Sequence, residues 1–402
     1  MSQLNSYAEP RYFSVWHAVL LSPTLFAYFI LDNDGVTPGL QLDGVGPKLA
    51  IKITSILLLM FAIGMSFRRF NTKEMFCWVG LGLPVLTFAA LSLFSGESFY
   101  LQAINAALFL PILAINWRVR EARFSIFFGT VSRIVVFQIL MSLVFSDQVS
   151  SNWGNRAMTG GLGNANSFSL YCIASFFWFS MVERKFIYAL IAGVGIAMSG
   201  SLAAIIVFII ASAFAFNLWK NIGLISASGA AVALAINYFS DAVTRALNHA
   251  LRKSLALSDF MFDGDAEGSM SVAGRTDYLH RGLELMSKDV LSWFWGHPNG
   301  LIMFTGDGYF TAILVTHGVV VLALFFLYFL RLFFSSGFGD QRVFRFAKIL
   351  LISVFVYMVA NRILDYYPAA LLCMMSVGYI VSFNRNSERA SNSSVLRPAL
   401  RQ

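Results

Sequence analysis

Residues 184–220 read RKFIYALIAGVGIAMSGSLAAIIVFIIASAFAFNLWK, and the number of times this stretch crosses a bilayer decides the fold. Its apolar part, Phe186 to Trp219, is broken only by Ser199-Gly200-Ser201. A membrane span takes about 20 residues, so the stretch is too long for one ordinary span and too short for two full ones. Charge settles the count. Short cytoplasmic loops keep Lys and Arg, and Arg184, Lys185 and Lys220 share a side only if the chain crosses twice. A paired segment with a Gly and Ser break suits a backbone that faces a cavity, and it suits equally a tight hairpin of small residues.

The same pattern extends in both directions. Apolar residues make up 57% of the chain and charged residues 12%, far from a soluble average. Further spans are expected at 12–31, 49–67, 75–94, 99–116, 124–145, 167–182, 222–239, 309–330, 346–360 and 366–383. Arg68, Arg69, Lys73, Arg118, Arg120, Arg123, Arg342, Arg345 and Lys348 fall on the side of Arg184, with the tail arginines Arg385, Arg389, Arg397 and Arg401. Asp32, Asp34, Asp43, Glu97 and Asp147 fall on the other. The expected fold is therefore an all-α polytopic membrane protein with about 12 transmembrane helices, both termini cytoplasmic, and a large, partly helical periplasmic loop between spans nine and ten. Residues 1–239 hold nine spans, 240–307 the loop, 308–384 three more spans, and 385–402 a polar tail whose Ser and Asn content predicts disorder. No repeat of six spans and six is visible, which argues against a transporter built of two halves.

The net charge of +8 is scattered over short loops, so it orients the protein and does not point to nucleic acid. Cys77, Cys172 and Cys373 each fall inside an apolar span without CxxC spacing or a nearby His, and are read as core packing, with no metal set. Tyr12 to Leu31 is of span length and lacks a small-residue cleavage site, so it is expected to remain in the mature chain. Trp16, Trp78, Trp117, Trp178 and Trp219 lie near span ends, where amphipathic rings favour the membrane interface.

Arg133 lies near the middle of the fifth span, where an unpaired charge costs about 2.5–3.5 kcal/mol or more. Its partner is a backbone carbonyl, a carboxylate reaching in from a loop, or an anionic ligand. In the long loop, Asp241 to Leu255 reads as an amphipathic helix lying on the membrane. A second helix follows, with Leu279, Leu283, Met286 and Val290 at helical spacing. At about 100° per residue Arg275 projects close to Gly282 and Met286, hence inward, whereas His280 and Arg281 turn toward solvent. A fixed guanidinium fork suits phosphate or pyrophosphate, and a salt bridge to Asp277 or Glu284 would use Arg275 as well. Arg156 precedes the Gly-rich stretch Gly160 to Asn166, whose backbone could approach an anion closely. Asp307, in Gly306-Asp307-Gly308-Tyr309, can serve as a general base or as a helix cap. His17 and His317, beside or within apolar segments, are read as structural.

These features together resemble the O-antigen polymerase and O-antigen ligase superfamily of bacterial membrane glycosyltransferases. The resemblance runs from about Gly154 to Leu330. It rests on an outward Arg before a Gly-Asn-x-Asn opening, the Ser-Gly-Ser break, Gly274-Arg275 in the loop after span nine, and Gly306-x-Gly308-Tyr309 followed by His317-Gly318. It implies action at the periplasmic face of the inner membrane on glycans carried by undecaprenyl pyrophosphate, without nucleotide sugar or metal cofactor. A chain-length regulator and a flippase are the implied companions. By the same resemblance Arg156 and Arg275 would hold the pyrophosphate and stabilise the leaving group, and a further group, Asp307 being the candidate, would activate the acceptor hydroxyl. Asn166 and Tyr309, from the two motif openings, join Arg133 and Arg281 as candidate substrate contacts. Where ligases usually open the span with His-Asn, this chain has Asp307-Gly308, which favours polymerase over ligase. Leu202 stands where an Arg often follows the Ser-Gly-Ser break, so no role is carried to that point. A ligase that moves glycan to lipid A-core is the alternative enzyme, and a transporter of lipid-linked or small solutes the alternative of another class.

Overall fold

A computed structural model describes residues 112–113, 121–144, 158, 165–216, 280–297, 308–337, 340–365 and 367–396. The first three expected spans, all of the fourth but Ile112 and Leu113, the span at 222–239 and the expected surface helix at 241–255 lie outside the described residues. Within them the chain is helical and no strand occurs. Helix α1 covers Glu121–Val144. Helix α2 covers Ala165–Phe177 and continues as a π-helical turn over Trp178–Glu183. Helices α3, Phe186–Met198, and α4, Leu202–Ala215, follow on either side of the Ser-Gly-Ser break. Gly200 takes the turn with φ of 60°, and the Ser201 hydroxyl caps α4 by accepting from the Ala204 N–H, as a residue before a first helical turn does. At about 1.5 Å per residue α3 and α4 are some 20 Å long, two short apolar helices that run in opposite directions on either side of the break.

The loop contributes α5, helical over 280–287, and α6, Val290–Trp295, whose N-cap Asp289 accepts from Leu291 N–H. The expected stripe through Leu279, Leu283, Met286 and Val290 does not hold. The buried face of α5 is Gly282, Leu285 and Met286, Leu283 is exposed, and Val290 belongs to the next helix because the Asp289 cap starts a new one. Helix α8 spans Gln341–Ala360, a 3₁₀ turn covers Ile363–Asp365, and α9 spans Tyr367–Leu396. Helix α9 thus runs through most of the stretch expected to be a disordered tail. Extending a helix already nucleated by a packed segment fixes one residue per hydrogen bond gained, so polar composition alone does not end it.

Among the described residues three stretches are long and apolar enough to cross a membrane, Phe124–Met141, Ala165–Glu183 and Tyr309–Phe333. The third is not one straight helix. Helix α7, Tyr309–Phe333, is interrupted at Gly318, with φ 78° and ψ 178°, a combination open essentially to glycine alone. Phe310 and Phe326 would stand about 24 Å apart along a straight helix, yet their rings lie 4.7 Å apart, and the Tyr309 and Phe325 rings 6.2 Å apart. The expected span 309–330 is therefore a helical hairpin with its turn at Gly318, its arms about 13 and 22 Å long. Apolar length does not reveal this, because glycine is common in membrane helices.

Ring and hydrogen-bond pairings fix the direction of each helix. Asn166 and Ser169 of α2 meet Asn361 and Tyr357 of α8, while Trp178 lies 5.1 Å from Phe346, so α2 and α8 are antiparallel. The start of α1 joins the Trp178 end through Phe128, and Phe124 meets Tyr379 of α9 there. Tyr188 at the start of α3 packs on Phe179, and Phe216 past the end of α4 lies 6.0 Å from Phe177. The bundle thus has an asparagine end, with Asn166, Ser199, Ser201 and Asn361, and a glutamate end, with Glu183. Arg184, Lys185, Arg342 and Arg345 collect at the glutamate end, as the charge pattern predicts. Despite its reversal, the hairpin still carries the chain between ends: a Cβ on Gly308 would lie 3.3 Å from the Val359 carbonyl oxygen, and Gly337 lies against the Phe344 ring.

Candidate functional site

At the asparagine end the amide of Asn166 ties three elements together. Its Nδ2–H donates to Asn361 Oδ1 at 3.1 Å, and its Oδ1 accepts from the Ser201 hydroxyl at 2.6 Å. The Ser169 hydroxyl donates to the Asn166 backbone carbonyl at 2.9 Å, which uses its one proton, so the Tyr357 hydroxyl 2.5 Å away is the donor in that pair. Ser199 donates to the Ile196 carbonyl and accepts from the Ser201 N–H. Met158, two residues past Arg156, donates its N–H to the Met198 carbonyl at 3.0 Å. This network joins the Gly-Asn-x-Asn opening of α2, the Ser-Gly-Ser break and the end of α8.

Arg362 follows Asn361 directly and is 6% exposed. It sits where α8 has ended, with Asn361 in extended backbone as the C-cap. Sequence reasoning passed over Asn361, Arg362 and Tyr357. The signal was available: Arg362 is an arginine in a five-residue break between apolar segments, on the side where short loops carry few positive residues. Burying a guanidinium is costly, and Arg362 is held beside Asn361, the residue that bonds to Asn166.

Tyr309 opens the hairpin at this same end and is 1% exposed. The structure thus brings Asn166 and Tyr309 to one end of the bundle. Arg156, Arg275 and Asp307 lie outside the described residues. His280 and Arg281 are exposed, as their helical angles predict.

Arg133 stands elsewhere. Its Nη2–H donates to Glu183 Oε2 at 2.9 Å, and its Nη1–H donates to the Gly129 carbonyl one turn back at 2.6 Å. The side chain runs back along α1 to reach the glutamate end, as long cationic side chains do at membrane boundaries. A Cβ on Gly129 would lie 2.9 Å from Arg133 Nη1 and 3.1 Å from Glu183 Oε1, so glycine leaves room for the pair. Glu183 also accepts from the Trp178 indole N–H at 2.9 Å and from Lys185 Nζ at 3.0 Å. Residues five apart face different sides of an α-helix, and the π turn brings Trp178 and Glu183 onto one face. Trp178 is consequently buried, stacked on Phe128, and is not the interface anchor expected from its position near a span end. Glu183 and Asn166 are 17 residues apart in α2 and its π turn, about 25 Å, so Arg133 and Asn166 do not share a site. Of the alternatives for Arg133, the structure contains two, the Gly129 backbone carbonyl and the carboxylate of Glu183.

No family model matches this chain, and no curated protein does. Cys172 and Cys373 are buried in the core, Cys77 lies outside the described residues, and no group of three metal-ligating side chains occurs among the described residues. The chemistry offered at the asparagine end is hydrogen bonding by hydroxyls and amides beside one buried cation. Such groups can hydrogen-bond to a phosphate ester or to a sugar hydroxyl.

Proposed function

We propose that this protein is a repeat-unit polymerase for a surface polysaccharide, acting at the periplasmic face of the bacterial inner membrane. It joins oligosaccharide repeat units carried on undecaprenyl pyrophosphate. The observation that carries the reading is the hydrogen bond from Ser201 to Asn166 at the end where α7 opens. Two short segments that resemble the polymerase and ligase superfamily meet in that bond, 35 residues apart in sequence, and Tyr309, from the third, lies at the same end of the bundle. The charge pattern supports the same orientation, because Arg184, Lys185, Arg342 and Arg345 gather at the opposite, cytoplasmic end.

In this reading the glycosidic bond forms between an acceptor hydroxyl and the anomeric carbon of the growing glycan, as the bond from that carbon to the pyrophosphate oxygen breaks. The hydroxyl proton passes to a carboxylate, for which Asp307 is the candidate. The pyrophosphate leaves with the bonding electrons, stabilised by Arg156 and Arg275, with Arg362 as an additional cation at that end. Fixed cations aimed at a developing charge are commonly the largest contribution in such a step.

Arg275→Ala is expected to abolish long-chain polymer in cells while single repeat units still reach the surface. Normal chain length at a normal protein level would overturn the reading. The two alternatives give other outcomes in a deletion strain. Long chains left unattached to the lipid core indicate a ligase, and absence of all surface glycan indicates an exporter.

A further inference from the structure

Helix α6 is built inside out. Its sequence is VLSWFW, and the residue it buries is Ser292, 3% exposed, whereas Val290, Leu291 and Trp295 are 74%, 64% and 70% exposed. In water such a helix would bury its serine and expose nearly all its apolar area, the reverse of what the hydrophobic effect favours. The arrangement is the stable one when the surrounding medium is lipid. Trp293 and Phe294 are also exposed, so the aromatic surface is contiguous.

The neighbouring surface is of the same kind. Gly296, at the C-terminus of α6, and Gly318, at the turn of the hairpin, bring their backbones together. A Cβ on Gly296 would lie 2.2 Å from the Thr316 carbonyl oxygen, and one on Gly318 the same distance from that of Phe294. The His297 N–H donates to the Val315 carbonyl at 2.7 Å. Beyond this clasp the second arm of α7 exposes Val319, Val320, Leu324, Leu327 and Leu330. The apolar stretch of α7 is only 28% buried inside the protein, against 56% and 72% for the other two long apolar stretches. The apolar surface of α6 is thus continuous with a hairpin arm that has lipid as its natural surroundings. Indole rings at such a position mark the bilayer interface.

We infer that α6 is seated in the outer interfacial layer of the bilayer, clasped to the hairpin turn, and that the long loop ends as a membrane-embedded wedge instead of a solvated tether. Its partner is the lipid itself, with the apolar face among the upper acyl chains and the exposed Lys288 beside the headgroups. The inference holds whichever reaction the protein catalyses. Its consequence for the loop is that the α5 segment, just upstream, is held at the membrane surface.

Spin labels report the surroundings directly. The full chain, carrying Leu291→Cys, Trp295→Cys, Ser292→Cys or Lys288→Cys with the native cysteines replaced, is placed in nanodiscs of mixed zwitterionic and anionic lipid. Labels at 291 and 295 are expected to collide with oxygen several-fold more often than with a water-soluble nickel chelate. The label at 288 should show the reverse, and the one at 292 should be shielded from both. Chelate access at 291 and 295 equal to that at 288 would overturn the inference, as would a freely accessible 292. Labels at 291 and 295 sit on the exposed face, so they report even if the buried Ser292→Cys variant misfolds.

Discussion

Glu183 accepts from three donors at once, the Trp178 indole, the Arg133 guanidinium and Lys185 Nζ. Replacing it with Ala leaves an indole N–H and a cation without their acceptor. The Arg133 side chain is 50% exposed, which lowers the expected loss below that of a fully buried pair, to about 1–3 kcal/mol. Thermal unfolding of the detergent-solubilised protein should show a lower Tm for Glu183→Ala than for Glu183→Gln, because Gln keeps an acceptor for Trp178. Arg133→Gln should change stability while leaving surface-glycan length, corrected for protein level, unaltered. Arg362 calls for the opposite result. With Arg362→Ala, polymer synthesis per folded protein should fall about 100-fold, the order seen when one charge-stabilising donor is removed. Arg362→Lys should recover only part of it, since an ammonium lacks the planar fork. Equal loss of fold in both variants would make Arg362 a structural cation.

Among the elements, the α3–α4 pair and the hairpin of α7 show what a sequence does and does not make legible. The break at 199–201 was readable because charges on both flanks count crossings independently of apolar length. The reversal at Gly318 was not, since an apolar stretch of 25 residues carries the same hydropathy straight or folded, and a lone glycine fits either. Asn166 and Ser201 could be singled out as polar residues at segment openings, but their pairing with Asn361 depends on how α2, α4 and α8 pack, which no local pattern encodes. Arg362 stood in a short break between apolar segments, and nothing local in the sequence shows that it is buried beside Asn361. The hairpin itself can be tested by cross-linking. Cysteines replacing Phe310 and Phe326, in a background without native cysteines, should be joined by a short bifunctional thiol reagent, because the two side chains face each other with their rings 4.7 Å apart. No cross-link is possible across the roughly 24 Å of a straight helix. Gly318→Ala should prevent monodisperse folding, since its Cβ meets backbone and its φ is positive. Gly193→Ala, with only the Phe176 ring 3.8 Å away, should be tolerated or slightly stabilising, as helix propensity favours alanine by up to about 1 kcal/mol.

For the whole molecule, the separation of the two ends is the property on which the rest depends. Among the described residues alternate helices reverse, so Asn166, Ser201, Tyr357 and Asn361 lie at one end and Arg184, Lys185, Arg342 and Arg345 at the other. Helix α7 is the element that could break this alternation, because a hairpin ordinarily returns the chain to the side it left. Its unequal arms, with 334–337 continuing along α8, prevent that: Gly308 lies by Val359 and Gly337 by Phe344, at opposite ends of α8. The sidedness is measurable with a membrane-impermeant maleimide in intact cells stripped of their outer membrane. A cysteine replacing the exposed Glu284, before the hairpin, should be labelled from outside. One replacing the exposed Arg342, after it, should be labelled only once the inner membrane is opened. Labelling of both from the same side would mean that α7 returns the chain without crossing. It would put the asparagine end and the long loop on different sides, and a site combining Arg275 with Arg362 could not exist.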